Sequence, residues 1–180
     1  MGTYISTCVE IKKNDGWTLN TDNIFLSNED NKQYVDNPFD WQSYSMYGFF
    51  VGIRNSSECV ALSEPRGFPE DTSNEAMDIF APLEVPDWYN YGHGSNYEPE
   101  KMSVIERLES TYRESYCYSW LSVAELLSFD YDQEFIDKCE NPPKAKTYRR
   151  FLGNLYFEHL SILKSLGDPS KVRILFCFDG

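Results

Sequence analysis

Ile5, Thr7, Val9 and Ile11 alternate with Tyr4, Ser6, Cys8, Glu10 and Lys12, the period of a strand with two different faces. Asn14-Asp15-Gly16 interrupts the pattern and Trp17-Thr18-Leu19 resumes it. An Asp-Gly step between alternating segments predicts a β-hairpin over about residues 3–20, because a type I′ turn needs positive φ at its corner. At the other end of the chain, VRILFCF over 172–178 is too continuously apolar for a half-exposed strand. It is expected at the centre of the sheet.

Helical spacing appears between these strands. Met46, Phe49, Phe50 and Ile53 recur at helical intervals, with Gly48 and Gly52 four residues apart, a spacing that would let this helix pack closely on a sheet. Ser63 to Pro69 (SEPRGFP) reads as a stiff loop. A short helix is expected to start near Ser73. Val104, Ile105 and Leu108 share one helical face, and Tyr116–Leu121 reads as extended. Ser122-Val123-Ala124-Glu125 is a capping box that opens another short helix. The longest helix is predicted over about 147–166, with Leu152, Leu155, Tyr156, Leu160, Leu163 and Leu166 as its buried stripe and Gly167 and Pro169 at its end. Residues 20–42, rich in Asn and Asp, and residues 82–99, aperiodic and aromatic, read as loops. The expected fold is a single α+β domain: a mixed or antiparallel sheet with a protruding N-terminal hairpin and helices packed on one face.

Composition narrows the class. With 180 residues, 41% hydrophobic and 16% aromatic, the chain has enough apolar surface for one sizeable core. No segment reaches the length of a membrane span, and the opening MGTYISTCVEIKKNDG lacks the basic-then-apolar order of a signal peptide, so a cytosolic protein without a membrane contact is expected. Five widely spaced cysteines without a C-x-x-C pair predict reduced thiols, and two histidines, His93 and His159, are too few for a histidine-rich metal centre. No metal and no cofactor are expected.

Charge changes the picture most. Residues 1–137 carry 8 Lys/Arg against 25 Asp/Glu, a balance of −17; residues 138–180 carry 8 against 4, a balance of +4; together they give −13. Such a body repels free nucleic acid, whose binding relies on cations that release counterions. It attracts basic surfaces, including those of nucleic-acid-binding proteins. No stable binding to free nucleic acid is expected.

Several residues are candidates for chemistry or contact. Lys12, Lys13 and Trp17 at the hairpin tip would offer two ammonium groups and a stacking surface to phosphate and base; the alternative is a solvated turn whose Trp folds back onto the sheet. Glu64 and Arg66, on the stiff loop, would serve as proton acceptor and as stabiliser of a phosphorane-like transition state; alternatively Arg66 pairs with a carboxylate and pins the loop. Glu10 is a candidate general base or metal ligand if it lies near the sheet centre, and otherwise faces water. His93, in Gly92-His93-Gly94, is a candidate acid/base, whereas His159, beside Leu155, Leu160 and Leu163, reads as structural. Lys144, Lys146, Arg149 and Arg150 precede and open the predicted long helix, where cations oppose the helix dipole. They are read either as an RNA or phosphate contact or as partners of the acidic body.

Five segments, MGTYISTCVEIKKNDGW, YGFFVGIRN (47–55), SEPRGFPEDTSNE (63–75), YSWLSVAELLSFDYD (118–132) and VRILFCFD (172–179), taken in order, resemble a family of small phage and prophage proteins that open Met-Gly-Cys-Asp-Ile-His. Members carry an Arg-Gly-Leu-Pro-x-Asp loop and an Asp-x-His-Ser-x-Ser-Trp-Leu-Thr segment, and they close on a Val-Arg-Ile strand with Phe-Asp. The chain departs from that pattern at Tyr4 and Ser6, where the family has Asp and His, and at Glu114 and Tyr116, where it has Asp and His before Ser-Trp. Within that setting the chain is similar to type II-A anti-CRISPR proteins that inactivate Cas9 by causing truncation of its guide RNA. The resemblance implies Cas9 and its bound guide as partners, in the cytoplasm of a bacterial host. Two other functions stay open: an acidic nucleic-acid mimic that blocks a basic channel without chemistry, and a protein that binds or cleaves a nucleotide immune signal.

Overall fold

The computed structural model describes residues 2–86, 88 and 97–180; His93 lies outside them. Its strands are β1 (Tyr4–Lys13), β2 (Gly16–Leu19), β3 (Phe25–Leu26), β4 (Tyr34–Val35), β5 (Tyr116–Ser122), β6 (Glu134–Asp137), β7 (Lys144–Thr147) and β8 (Val172–Asp179). Its helices are α1 (Tyr44–Val51), α2 (Asn74–Phe80), α3 (Val104–Ser110), α4 (Val123–Ser128), α5 (Tyr148–Leu152) and α6 (Asn154–Ser165). The fold is α+β. A four-stranded antiparallel sheet runs in the order β2-β1-β8-β5, and β3–β4 and β6–β7 form two small antiparallel pairs.

The N-terminal hairpin pairs Lys13 with Gly16 and Glu10 with Leu19. Its corner lies one residue earlier than the Asp-Gly step suggests: Asn14 carries the positive φ, at 52°, and Gly16 already belongs to β2. Asn is among the few non-glycine residues that enter the left-handed region readily. β1 pairs with β8 from Tyr4 to Ile11, so Lys12 and Lys13 extend beyond it and are matched only by Trp17 and Gly16. β8 is central, flanked by β1 and β5, and seven of its eight residues are buried.

The period-2 alternation gives the sheet two unlike faces. Ile5 and Val9 on β1, Leu121 on β5, and Val172, Ile174, Phe176 and Phe178 on β8 turn to the larger core, which α1, α4, α5 and α6 cover. Cys8, Leu175, Cys177, Tyr118 and Trp120 turn to a smaller core completed by Phe68, Ala76, Met77, Phe80 and Leu108. The expectation of helices on one face holds for the larger layer, and α2 and α3 add a thinner one on the other. Arg107 lies buried in that thin layer, its Nε–H donating to the Ala81 carbonyl at 2.7 Å, while Ile105, expected inside, is exposed.

The larger core is aromatic. Phe49 on α1 meets Phe129, Tyr131, Tyr148 and Tyr156 with ring centroids 4.8–6.2 Å apart, the tilted and edge-on spacing that the ring quadrupole favours. The tyrosine hydroxyls are satisfied in series. Tyr131 donates its only proton to the Leu126 carbonyl at 2.7 Å, so the 2.8 Å contact with Tyr156 has Tyr156 as donor. Tyr148 accepts from the Val60 amide at 2.8 Å.

Three expectations are corrected here. The predicted 147–166 helix is two helices, because Gly153 adopts φ 81° and ψ 168°, a conformation open essentially to glycine; Tyr148 on the first and Tyr156 on the second are both buried in the larger core. Gly52, read as a packing glycine, is the left-handed C-cap of α1 at φ 76°. Gly48 does make a close approach, with the Asn55 side chain where a Cβ would stand. The polar stretch 20–42 is not wholly exposed, since Phe25 and Phe39 are fully buried.

His159 explains how that stretch is held. The Phe39 amide donates to Nδ1 at 3.0 Å, which leaves Nε2–H to donate to the Leu26 carbonyl at 2.8 Å. The ring is fully buried and neutral, and burial pushes its pKa below the ordinary 6.5, against the opposing pull of the Leu26 carbonyl. The unfolded chain therefore takes up a proton near pH 6.5 that the folded chain refuses, so the contribution of His159 is complete above that pH and is lost as pH falls below it. Urea unfolding between pH 7.5 and 5.5 is expected to show stability declining toward acid, by at most about 1.4 kcal/mol per pH unit. The decline should be shallower in His159→Gln.

Candidate functional site

On the smaller face of the sheet, Glu10 of β1 stands directly opposite Arg173 of β8, and both are almost wholly buried, at 0% and 3% exposure. A buried charge is tolerated only when it is paired and its remaining hydrogen-bonding capacity is met. Arg173 donates from Nε and a terminal nitrogen to Oε2 of Glu10 at 2.8 and 2.7 Å. Oε1 accepts the backbone amide of Ser73, the N-cap of α2, at 2.8 Å. The other side of the guanidinium donates to Asp71 Oδ1 at 2.9 Å and to the Asp71 carbonyl at 3.4 Å. Asp71 Oδ2 in turn accepts the indole N–H of Trp17 at 3.0 Å. One arginine thus ties the hairpin and the 63–73 loop to the central strand. Partial desolvation would raise the Asp71 pKa, but the hydrogen bond and charge of Arg173, helped by Trp17 and Lys12, outweigh it and hold the carboxyl below its usual range.

Cations and rings alternate across the same face. Lys12 Nζ lies 5.7 Å from the Trp17 ring centre, and the Arg173 guanidinium lies 3.8 Å from Trp17 and 5.9 Å from Trp120. The Arg66 guanidinium lies 4.7 Å from the Trp120 ring centre and ends the series. The order is Lys12, Trp17, Arg173, Trp120, Arg66, a cation–π ladder spanning all four strands. Arg66 also pairs with Glu125 at 2.7 Å, while its backbone amide donates to the Ser119 hydroxyl at 3.2 Å and that of Gly67 to the Tyr118 carbonyl at 2.9 Å. Glu125 closes the capping box of α4. Its partial burial would raise its pKa, yet the hydrogen bonds from Arg66 and Ser122 lower it.

The candidate residues thus fall into two places. Lys12, Trp17 and Arg66 are members of the ladder, and Glu10 is bonded to Arg173 at its centre. Glu10 has both oxygens occupied, and Trp17 folds back onto Arg173. Glu64 is exposed and joins no ion pair among the described residues, and Lys13 lies exposed beside Lys12 at the tip. Lys144, Lys146, Arg149 and Arg150 belong instead to β7 and α5. There Lys146 meets Asp137 at 2.7 Å and Glu140 at 2.9 Å, Arg149 meets Asp132 at 2.7 Å, and Lys144 stands 3.9 Å from Glu140. Arg150 makes no ion pair among the described residues. No group of three or more His, Cys, Asp or Glu is placed to hold a metal ion among the described residues, and none of their helices is long and apolar enough to cross a membrane.

Three members of the site were missed in the sequence: Arg173, Asp71 and Trp120. Arg173 had a usable signal. An arginine inside a run expected to be buried demands a carboxylate partner, and Glu10 is the acid that β1 offers. Asp71 and Trp120 carry no comparable mark. No protein-family model, curated protein or solved structure matches this chain.

Asp71→Ala removes the acceptor shared by Trp17 and Arg173. It is expected to cost about 1–3 kcal/mol in urea unfolding, the penalty for stranding a buried donor, and to shift tryptophan emission to the red as Trp17 detaches. Glu125→Gln, at the partly exposed Arg66 pair, should cost under about 1 kcal/mol.

Proposed function

We propose that this protein is an anti-CRISPR inhibitor of Cas9 that causes truncation of the guide RNA only when Cas9 holds it. The acidic body docks on a basic surface of the nuclease, and the hairpin tip reaches the bound guide in the host cytoplasm. The observation that carries this reading is the pair Lys12 and Lys13. They sit on the two positions where β1 outruns β8, both exposed and without an ion pair among the described residues, in a chain of net charge −13. Trp17 and Trp120 each lie between two cations of the ladder, so they brace the face behind the tip, and the contact with the guide falls to the two ammonium groups. The partner supplies the attraction that the body cannot, because free RNA is repelled by it. The resemblance of five segments to small phage and prophage proteins supports the same reading.

A second reading is supported by the state of the candidate catalytic groups. Both oxygens of Glu10 are bonded, so it is not free to take a proton as the chain stands, and the charge of Arg66 is already paired with Glu125. Under that reading the acidic body blocks a basic channel of Cas9 and leaves the guide whole.

Labelled guide RNA incubated with the protein, with and without Cas9, separates the two. Truncation is expected only with Cas9 present, and Lys12→Ala/Lys13→Ala should lower the amount of shortened guide at least tenfold while the melting temperature falls by no more than about 4 °C, the loss of one exposed cation–π contact. Trp17→Ala is the poorer probe, because that ring also packs on Arg173. An intact guide together with persisting inhibition that weakens steeply with salt would establish the blocking reading. An intact guide with undiminished Cas9 activity would end both.

A further inference from the structure

The hairpin tip is not the only place where this acidic chain gathers uncommitted positive charge. A cleft of about 310 Å³ opens between the first turn of α1, the 52–58 loop and the β7–α5 junction, lined by Tyr44, Ser45, Arg54, Ser56, Arg150 and Phe151. Its volume is at the lower end of the range of small-molecule sites. The side chains that face it include three cations, Arg54, Lys146 and Arg150, and one anion, Asp137.

The local carboxylates are already engaged. Asp137 accepts from Lys146 and from the Cys139 amide, and Glu140 accepts from Lys146 as well. Lys146 is therefore neutralised in place, and the free charge comes from two guanidinium groups. Arg54 uses only Nε, donating to Thr3 Oγ1 at 2.9 Å, which fixes the group and leaves both terminal nitrogens available. Arg150 has no side-chain partner among the described residues. Two guanidinium forks with hydroxyls beside them match the several oxygens of a phosphate better than the two of a carboxylate. α1 begins in the cleft at Tyr44 and Ser45 with no acidic residue in its first turn, so its dipole adds to the attraction. Tyr44 is 45% exposed, and its ring flanks the cleft as a stacking surface. Arg54 itself is held at φ 52°, in the left-handed region. For a residue with a Cβ that conformation carries a cost, and such positions gather at binding sites.

We propose that this cleft binds a phosphate group carried by a nucleotide, with the phosphate on Arg54 and Arg150 and the base against Tyr44. The site is separate from the hairpin. Arg54 is anchored beside the start of β1, and the Lys12–Lys13 tip is at the other end of that ten-residue strand, roughly 33 Å away at strand rise. The ligand is either a free mononucleotide or the 5′-phosphate end of an RNA.

Titration calorimetry and amide NMR at low ionic strength test the proposal with adenosine 5′-monophosphate, adenosine, inorganic phosphate, and a hexaribonucleotide with or without a 5′-phosphate. One saturable site for the monophosphate is expected, with shifts confined to residues 44–57 and 137–151 and adenosine at least tenfold weaker. Arg54→Gln/Arg150→Gln should weaken binding at least tenfold, and Lys12→Ala/Lys13→Ala should leave it unchanged. Because Arg150 holds nothing else in place, Arg150→Gln alone keeps the fold and should still weaken binding severalfold. Equal binding of the 5′-phosphorylated hexamer identifies an RNA end as the source, and preference for the monophosphate identifies a free nucleotide. Absence of saturable binding by phosphate and monophosphate, equal affinity for adenosine, or full binding by Arg150→Gln would overturn the proposal.

Discussion

Glu10 and Arg173 face each other across β1 and β8 at the middle of the sheet, on the face that carries the thinner layer of helices. Charged groups this deep lose much of their hydration, and their mutual attraction offsets that loss only if every remaining donor and acceptor finds a partner. Here each partner comes from a different segment: Ser73 at the start of α2, Asp71 in the loop before it, and through Asp71 the indole of Trp17 on β2. The pair thus fixes the hairpin, the 63–73 loop and the entry to α2 relative to the central strand. It sets the spacing of the cation–π ladder, because Arg173 is the rung between Trp17 and Trp120.

The two faces of the sheet are held by different physics. The larger layer is an aromatic core in which Phe49, Phe39 and Tyr156 meet rings from three helices and from loops, with each buried tyrosine hydroxyl bonded. Such a core is tolerant of the exact partner but demanding of volume. The smaller layer has less apolar surface and relies on directional bonds. A few fixed charges on the thinner side set a geometry that a flexible loop would leave undefined.

Legibility in the sequence follows the same division. The alternation of Ile5, Thr7, Val9 and Ile11 gives β1 its two faces, and the apolar run 172–178 gives β8 its central place. The serine caps at 73 and 122 give α2 and α4 their starts, because each of these features is set by neighbours within a few residues. Leucine-rich surroundings keep helical spacing on both sides of Gly153, so the break there, set by one glycine at φ 81° and ψ 168°, leaves no mark in the periodicity. Phe39 sits in a polar stretch and is buried through His159, 120 residues away. Of the candidate site, the hairpin cations and Arg66 were visible as exposed charges beside turns. Their meeting through Arg173 and Asp71 depends on pairs separated by 163 and 102 residues, which no local pattern encodes.

The central claim is that Glu10 and Arg173 act as one unit. A double-mutant cycle with Glu10→Gln, Arg173→Gln and the double variant, read by urea unfolding, tests it most directly. Each single variant should lose about 3 kcal/mol or more, the usual penalty for stranding half of a buried pair. The double variant should lose far less than the sum, leaving a coupling of about 2 kcal/mol. Additive losses, or single variants as stable as the parent, would contradict the account.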